Sequence, residues 1–126
     1  TNQMKAVKII SRARPGVEVN IRHMNTHVLK FPDIPKLEMV KFIYDFTSGA
    51  LPKPLQALFD INEIYHEYKT RQAANPHIKR YENSIVINSF INKAPKCWSE
   101  LPVETKQAPS KNSFAKRAKK YFLNKY

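Results

Sequence analysis

Residues 111–124 carry an apolar period that a helix satisfies and a strand does not. Phe114, Ala118, Tyr121 and Phe122 fall at i, i+4, i+7 and i+8, one stripe along a helix of 3.6 residues per turn. Lys111, Lys116, Arg117, Lys119 and Lys120 occupy most of the remaining surface, and Ser110 stands where a hydroxyl can cap the first turn. The result is an amphipathic basic helix whose aromatic stripe a packed domain needs for its core.

A second helix is predicted over about 34–47. Asp33 is placed to cap it, and Pro35 falls in the first turn, where a missing N–H costs nothing. Leu37, Val40, Ile43 and Tyr44 share a face that Met39, Phe42 and Phe46 widen, and Gly49 lies where a C-terminal cap is expected. Residues 2–13 also read as a helix, with Met4, Val7 and Ile10 beside Ala6 and Ile9 on one side and Lys5, Lys8 and Arg12 on the other; Pro15-Gly16 stops it. Residues 17–32 show no clear period and read as loop with room for a short helix or strand. Leu55, Leu58 and Phe59 fit one face of a short helical segment after Leu51-Pro-Lys-Pro.

Residues 60–76 are polar and read as an exposed linker. Ile78, the turn-like Tyr81-Glu-Asn-Ser84 and the β-branched run Ile85-Val-Ile87 predict a hairpin of about 76–81 with 84–91. Cys97-Trp98 reads as a short helical turn that Pro102 ends. These elements predict a mainly helical α+β fold: a single domain over 1–126 of about four helices and one hairpin. Its helical part is 1–59, its linker 60–76, and its hairpin, Trp turn and basic helix lie in 77–126.

Composition then narrows the function. The chain has 126 residues and 22 Lys+Arg against 10 Asp+Glu, a net charge of +12. A hydrophobic share of 42% is near the globular norm, which argues against wholesale disorder. The single Cys excludes an intramolecular disulfide and any Cys-based zinc finger. Residues 1–63 hold 9 basic and 6 acidic side chains, whereas residues 64–126 hold 13 and 4, so +9 of the +12 lies in the second half. Such a surplus attracts polyanions, nucleic acid first and an anionic membrane surface second. No apolar stretch is long enough for a transmembrane helix, residues 1–14 contain no signal-peptide core, and the expected location is intracellular, nuclear or cytoplasmic. A chain opening on Thr1 is expected to be a processed product or a cut piece of a longer protein.

The sequence shows no arrangement suited to catalysis. No carboxylate pair is spaced for acid/base work, and with glycines only at 16 and 49 there is no phosphate-cradling loop. Asp45 reads as an exposed edge position of its helix. His23 and His27 are spaced i, i+4, but no carboxylate or thiol stands beside them, so they read as a surface or stacking pair rather than a metal site. Cys97 has no identifiable base and reads as a packing residue beside Trp98. No cofactor and no metal are expected.

Two stretches suit nucleic acid. The 111–125 helix is nearly single-signed, with no acidic residue after Glu104, whereas a solvated face mixes signs. A membrane-surface helix is its rival, through Phe114, Tyr121 and Phe122. Residues 65–81 interleave Tyr65, His66, Tyr68, His77 and Tyr81 with Lys69, Arg71, Lys79 and Arg80, which fits phosphate pairing with base stacking and equally fits a solvated connector. Neither stretch carries a base-reading signature, so contact is expected to be to the backbone.

The order of blocks resembles the C-terminal, thumb and post-thumb part of the reverse transcriptase of jockey-type non-LTR retrotransposons. The blocks are Met4-Lys-Ala-Val-Lys-Ile-Ile-Ser11, Val28-Leu-Lys-Phe-Pro-Asp-Ile34, Lys36-Leu through Lys41-Phe-Ile-Tyr44, Leu51-Pro-Lys-Pro-Leu55 to Phe59, Tyr68-Lys-Thr-Arg71, Ala94-Pro-Lys-Cys-Trp98-Ser-Glu-Leu-Pro102 and Pro109-Ser-Lys-Asn-Ser-Phe114 to Phe122. The resemblance runs in order along almost the whole chain. Ala115 and Ala118 stand where that family usually has Leu, and Ser99 where it has Asn. The polymerase palm with its Ala-Asp-Asp motif is absent, so no catalytic aspartate carries over to this chain.

The resemblance implies a segment that supports RNA template and DNA primer. Together the two lines of reasoning predict a non-catalytic module contacting the phosphate backbone of RNA or DNA through Lys111, Lys116, Arg117, Lys119 and Lys120, helped by Arg71, Lys79 and Arg80. Other domains of a polymerase polyprotein are possible partners, and no membrane is expected. The alternative is a structural module that docks through its basic face in a larger ribonucleoprotein. A third reading is an enzyme fragment active only with its palm.

Overall fold

The computed structural model describes residues 2–12, 16–61, 75–78, 82–87 and 89–126. The described helices are α1 (Asn2–Ile10), α2 (Val19–Thr26), α3 (Asp33–Thr47), α4 (Lys53–Gln56), α5 (Ser84–Ile87), α6 (Phe90–Ser99), α7 (Val103–Lys106) and α8 (Lys111–Asn124). α3 is central and packs against α6 and α8, α1 lies on α2, and α2 reaches α8.

The core grows from the faces the sequence marks most strongly. Val40, Ile43 and Phe46 of α3 meet Ala94 and Trp98 of α6 and Phe114, Ala118 and Phe122 of α8. Aromatic rings make the joints. Phe114 stacks on Tyr44 with centroids 4.6 Å apart and lies 5.5 Å from Trp98. Phe42 packs edge-on against Phe90 at 5.0 Å, and Phe46 against Phe59 at 5.4 Å. Burying rings of this size contributes more than any other side-chain class here.

The α+β expectation is corrected. Among the described residues there is no strand, only an isolated bridge between Ile61 and Pro76. The segment assigned to the second hairpin strand, 84–91, is instead α5 and the start of α6; of its partner, residues 79–81 lie outside the described residues. The β-branched run was misleading because strand propensity reflects packing context more than backbone preference. The run itself is α5, where Ile85 is 79% exposed, and in α6 Phe90, Ala94 and Trp98 recur every four residues with Ala94 and Trp98 buried. The Cys97-Trp98 turn is correspondingly the end of a ten-residue helix that runs through Pro95. That proline removes the donor for one i→i−4 bond, and it is itself buried.

Three smaller expectations also change. Asp33 is the first residue of α3 rather than its cap; the capping position is Pro32, with no side-chain cap bond. The apolar stripe of α1 is mostly open: Val7 is buried, but Ile9 and Ile10 are 75% and 65% exposed. His23 is a core residue, not a surface one. It is buried, and its Nδ1 lies 2.8 Å from the Val28 carbonyl. A carbonyl only accepts, so Nδ1 carries the proton.

The chain end is tied back into this framework. The Tyr126 hydroxyl donates to Asp33 Oδ2 at 2.7 Å and accepts from the Lys30 backbone N–H at 2.7 Å. Burial, together with the bond to Asp33, pushes the Tyr126 phenol up to about 12. A raised folded value means that the folded state holds this proton after the unfolded chain has lost it. The stability it contributes is therefore full below pH 10 and lost as pH rises from 10 to 12. For this partly solvated ring the loss should be about 1 kcal/mol. Urea midpoints across that range should fall more steeply for the native chain than for Tyr126→Phe; parallel curves would remove Tyr126 from the account.

Candidate nucleic-acid interface

α8 is built as its sequence suggests. The Ser110 hydroxyl accepts from the Ser113 N–H at 3.2 Å, satisfying one of the free amides of the first turn. Phe114, Ala118 and Phe122 are buried, and the half-buried Tyr121 donates its hydroxyl to the Glu100 carbonyl at 2.9 Å. The rings that a membrane-surface helix would insert into lipid are therefore held by the protein itself.

The basic residues of this helix divide into two sets. Lys111 is drawn to Asp45, with Nζ 2.5 Å from Oδ2. That contact places a carboxylate beside a cation at a helix N-terminus, where positive charge is otherwise unfavourable. It also corrects Asp45 from an exposed edge to a residue with an 18% exposed side chain and a partner. Arg117 donates through Nη1 to the Glu104 carbonyl at 2.8 Å. Beyond the helix, Lys125 lies 3.8 Å from Glu100 and 4.6 Å from the Tyr121 ring centre. Lys116, Lys119 and Lys120 form the other set and have no hydrogen bond or ion pair among the described residues. Lys116 and Lys120 are exposed, and Lys119 is half-buried.

These three lysines border a groove of about 360 Å³ between α2 and α8, whose remaining lining is Met24, His27, Leu123 and Asn124. Arg71, Lys79 and Arg80, like the aromatic residues 65–68 and Tyr81, lie outside the described residues. The sequence reading missed the α2 wall. Met24 has no motif around it, and His27 was noticed only as half of a pair. His27 ends α2 with φ 53°, a left-handed conformation that reverses the chain there.

Cys97 is half-buried, and burial together with the Glu100 charge pushes its thiol up, away from the reactive thiolate. No group of three or more His, Cys, Asp or Glu side chains among the described residues can hold a metal ion. No described helix is long and apolar enough to cross a membrane. Comparison with protein families, curated proteins and solved structures finds no match to this chain.

Proposed function

We propose that this chain is a non-catalytic nucleic-acid-binding module that holds the phosphate backbone of RNA or DNA on α8. The observation that carries this reading is the concentration of Lys116, Lys119 and Lys120 on one side of a helix with no carboxylate partner among the described residues. In proteins with many charges, neighbouring acids normally pair with such lysines, and here Asp45 and Glu100 already serve Lys111 and Lys125. A polyanion supplies what the fold does not. The likeness to the C-terminal part of a retroelement reverse transcriptase supports the same role, as a segment that steadies template and primer beside a polymerase palm carried elsewhere.

Binding through phosphates makes a quantitative demand. Each neutralised duplex phosphate releases counterions and contributes about −0.9 to the slope of log affinity against log salt. Three lysine contacts predict a slope of −2.7 or steeper, which is a loss of about 40-fold between 50 and 200 mM salt. Fluorescence anisotropy with a labelled duplex reads this directly. A flat slope, with an acidic protein retained through high salt instead, would replace this reading with the docking-module one.

A further inference from the structure

The depressions bordered by Lys or Arg differ in kind; one of about 410 Å³ between α3 and α6 holds Lys36, Lys93 and Lys96, and its Lys36 is already paired with Asp33. One of about 590 Å³ is bordered by Lys5, Lys8 and Ile9 of α1 and by Arg12 just past its end, so it has charge but no opposing wall. One of about 470 Å³ on the α7 side of α8 contains Glu104, and its Arg117 is bonded to the Glu104 carbonyl. The α2–α8 groove has two walls, three lysines and no carboxylate in its lining.

The floor of that groove follows from helix geometry. Leu123 lies nine residues from Phe114, about 180° around the helix at 100° per residue, on the side opposite that ring. It nonetheless belongs to the buried core cluster and is only 6% exposed, while Met24, in the same groove lining, remains 40% exposed. The apolar surface is therefore recessed between lysines, not raised above them. Lys116 and Lys120 stand about 6 Å apart along the axis at 1.5 Å per residue, a spacing that successive phosphates of an extended strand can follow.

Resting on the nucleic-acid reading above, we infer that this groove takes an unpaired base of a single strand. The base lies against Met24, His27 and Leu123, and the phosphates on either side of it pair with Lys116, Lys119 and Lys120. A duplex keeps its bases stacked inside and reaches the lysines alone. An unpaired base reaches the floor as well, and every base has an apolar face to offer it. A lipid surface fits less well, because interfacial helices bind through apolar side chains that project beyond their charges.

The test uses the whole chain and four probes: a labelled oligothymidine, an abasic strand of the same length, a duplex of the same length, and vesicles of phosphatidylserine with phosphatidylcholine. Oligothymidine should bind about tenfold more tightly than the abasic strand, which offers the same phosphates without bases. His27→Gly should close most of that gap and leave abasic binding unchanged; glycine suits the φ of 53° there, so the variant should fold. Met24→Gln should narrow the gap from the other wall. Equal affinity for the two strands, both weakened by Lys116→Glu with Lys120→Glu, would overturn the base groove and leave the phosphate reading standing. An unchanged gap in both groove variants would also overturn the base groove. Binding to vesicles alone, or to no nucleic acid, would overturn both.

Discussion

Replacing Phe114 by alanine is expected to lower the melting temperature by roughly 10–20 °C, the largest loss of any single substitution considered. The ring is fully buried, stacked on Tyr44 with an interplanar angle of 19°, and tilted at 32° to Trp98. It therefore joins α3, α6 and α8 at one point, and α3 with α6 and α3 with α8 are the main helix pairs of the fold. Removing a buried phenyl costs about 3–5 kcal/mol through lost transfer energy and the cavity left behind. A domain of this size has only about 5–15 kcal/mol in total. The Tyr44 hydroxyl donates to the Ala108 carbonyl at 2.8 Å, so its ring is anchored and does not move freely to fill the void. Phe114→Leu should recover more than half of the loss. Ile9→Ala, at a residue 75% exposed, should change the midpoint by no more than an ordinary surface substitution, about 0.5 kcal/mol. A thermal melt followed by circular dichroism separates the three. A Phe114→Ala midpoint within a few degrees of the native one would mean that these helices do not share a core through this ring.

The elements legible in the sequence are those whose packing and punctuation agree. α8 was readable to the residue because Ser110 and the Phe114–Phe122 stripe speak for the same helix. α3 was readable because its stripe ends at Gly49, which takes φ 72°. α6 was misread because local cues there conflict with burial. Pro95 looks like a break, yet Ala94 and Trp98 are buried against α3. α1 shows a different limit. Its stripe is real as a pattern, but a pattern does not say how much of itself a neighbour will cover, and α2 takes little beyond Val7. The candidate site was half legible for the same reason. Which lysines exist is written in 111–125. Which of them are already engaged depends on Asp45 and Glu104, carried by other elements, and the groove floor depends on Met24 meeting Leu123 from far along the chain.

The second large effect concerns binding. Changing Lys116, Lys119 and Lys120 together to Glu should weaken binding of a duplex or single strand about a hundredfold or more at 50 mM salt. Each lost charge-assisted contact is worth about 1 kcal/mol or more, and about 1.4 kcal/mol is tenfold. Three such contacts give the hundredfold before the repulsion from three new carboxylates is counted. The fold should survive, since none of the three has a hydrogen bond or ion pair among the described residues and the core face of α8 is untouched. The triple change also lowers the net charge from +12 to +6, and general attraction for polyanions falls with it. A second triple variant isolates that term. Lys5 and Lys8 of α1 and Arg12 just beyond it, changed to Glu, remove the same six charges from one open surface. If affinity depends on total charge, the two variants should lose equally. If it depends on α8, the α1 variant should lose only severalfold, and the gap should shrink as salt shortens the Debye length from about 10 Å at 0.1 M to about 3 Å at 1 M. Equal losses would leave a basic protein without a defined site; a tenfold or greater gap would place the phosphate contacts on α8.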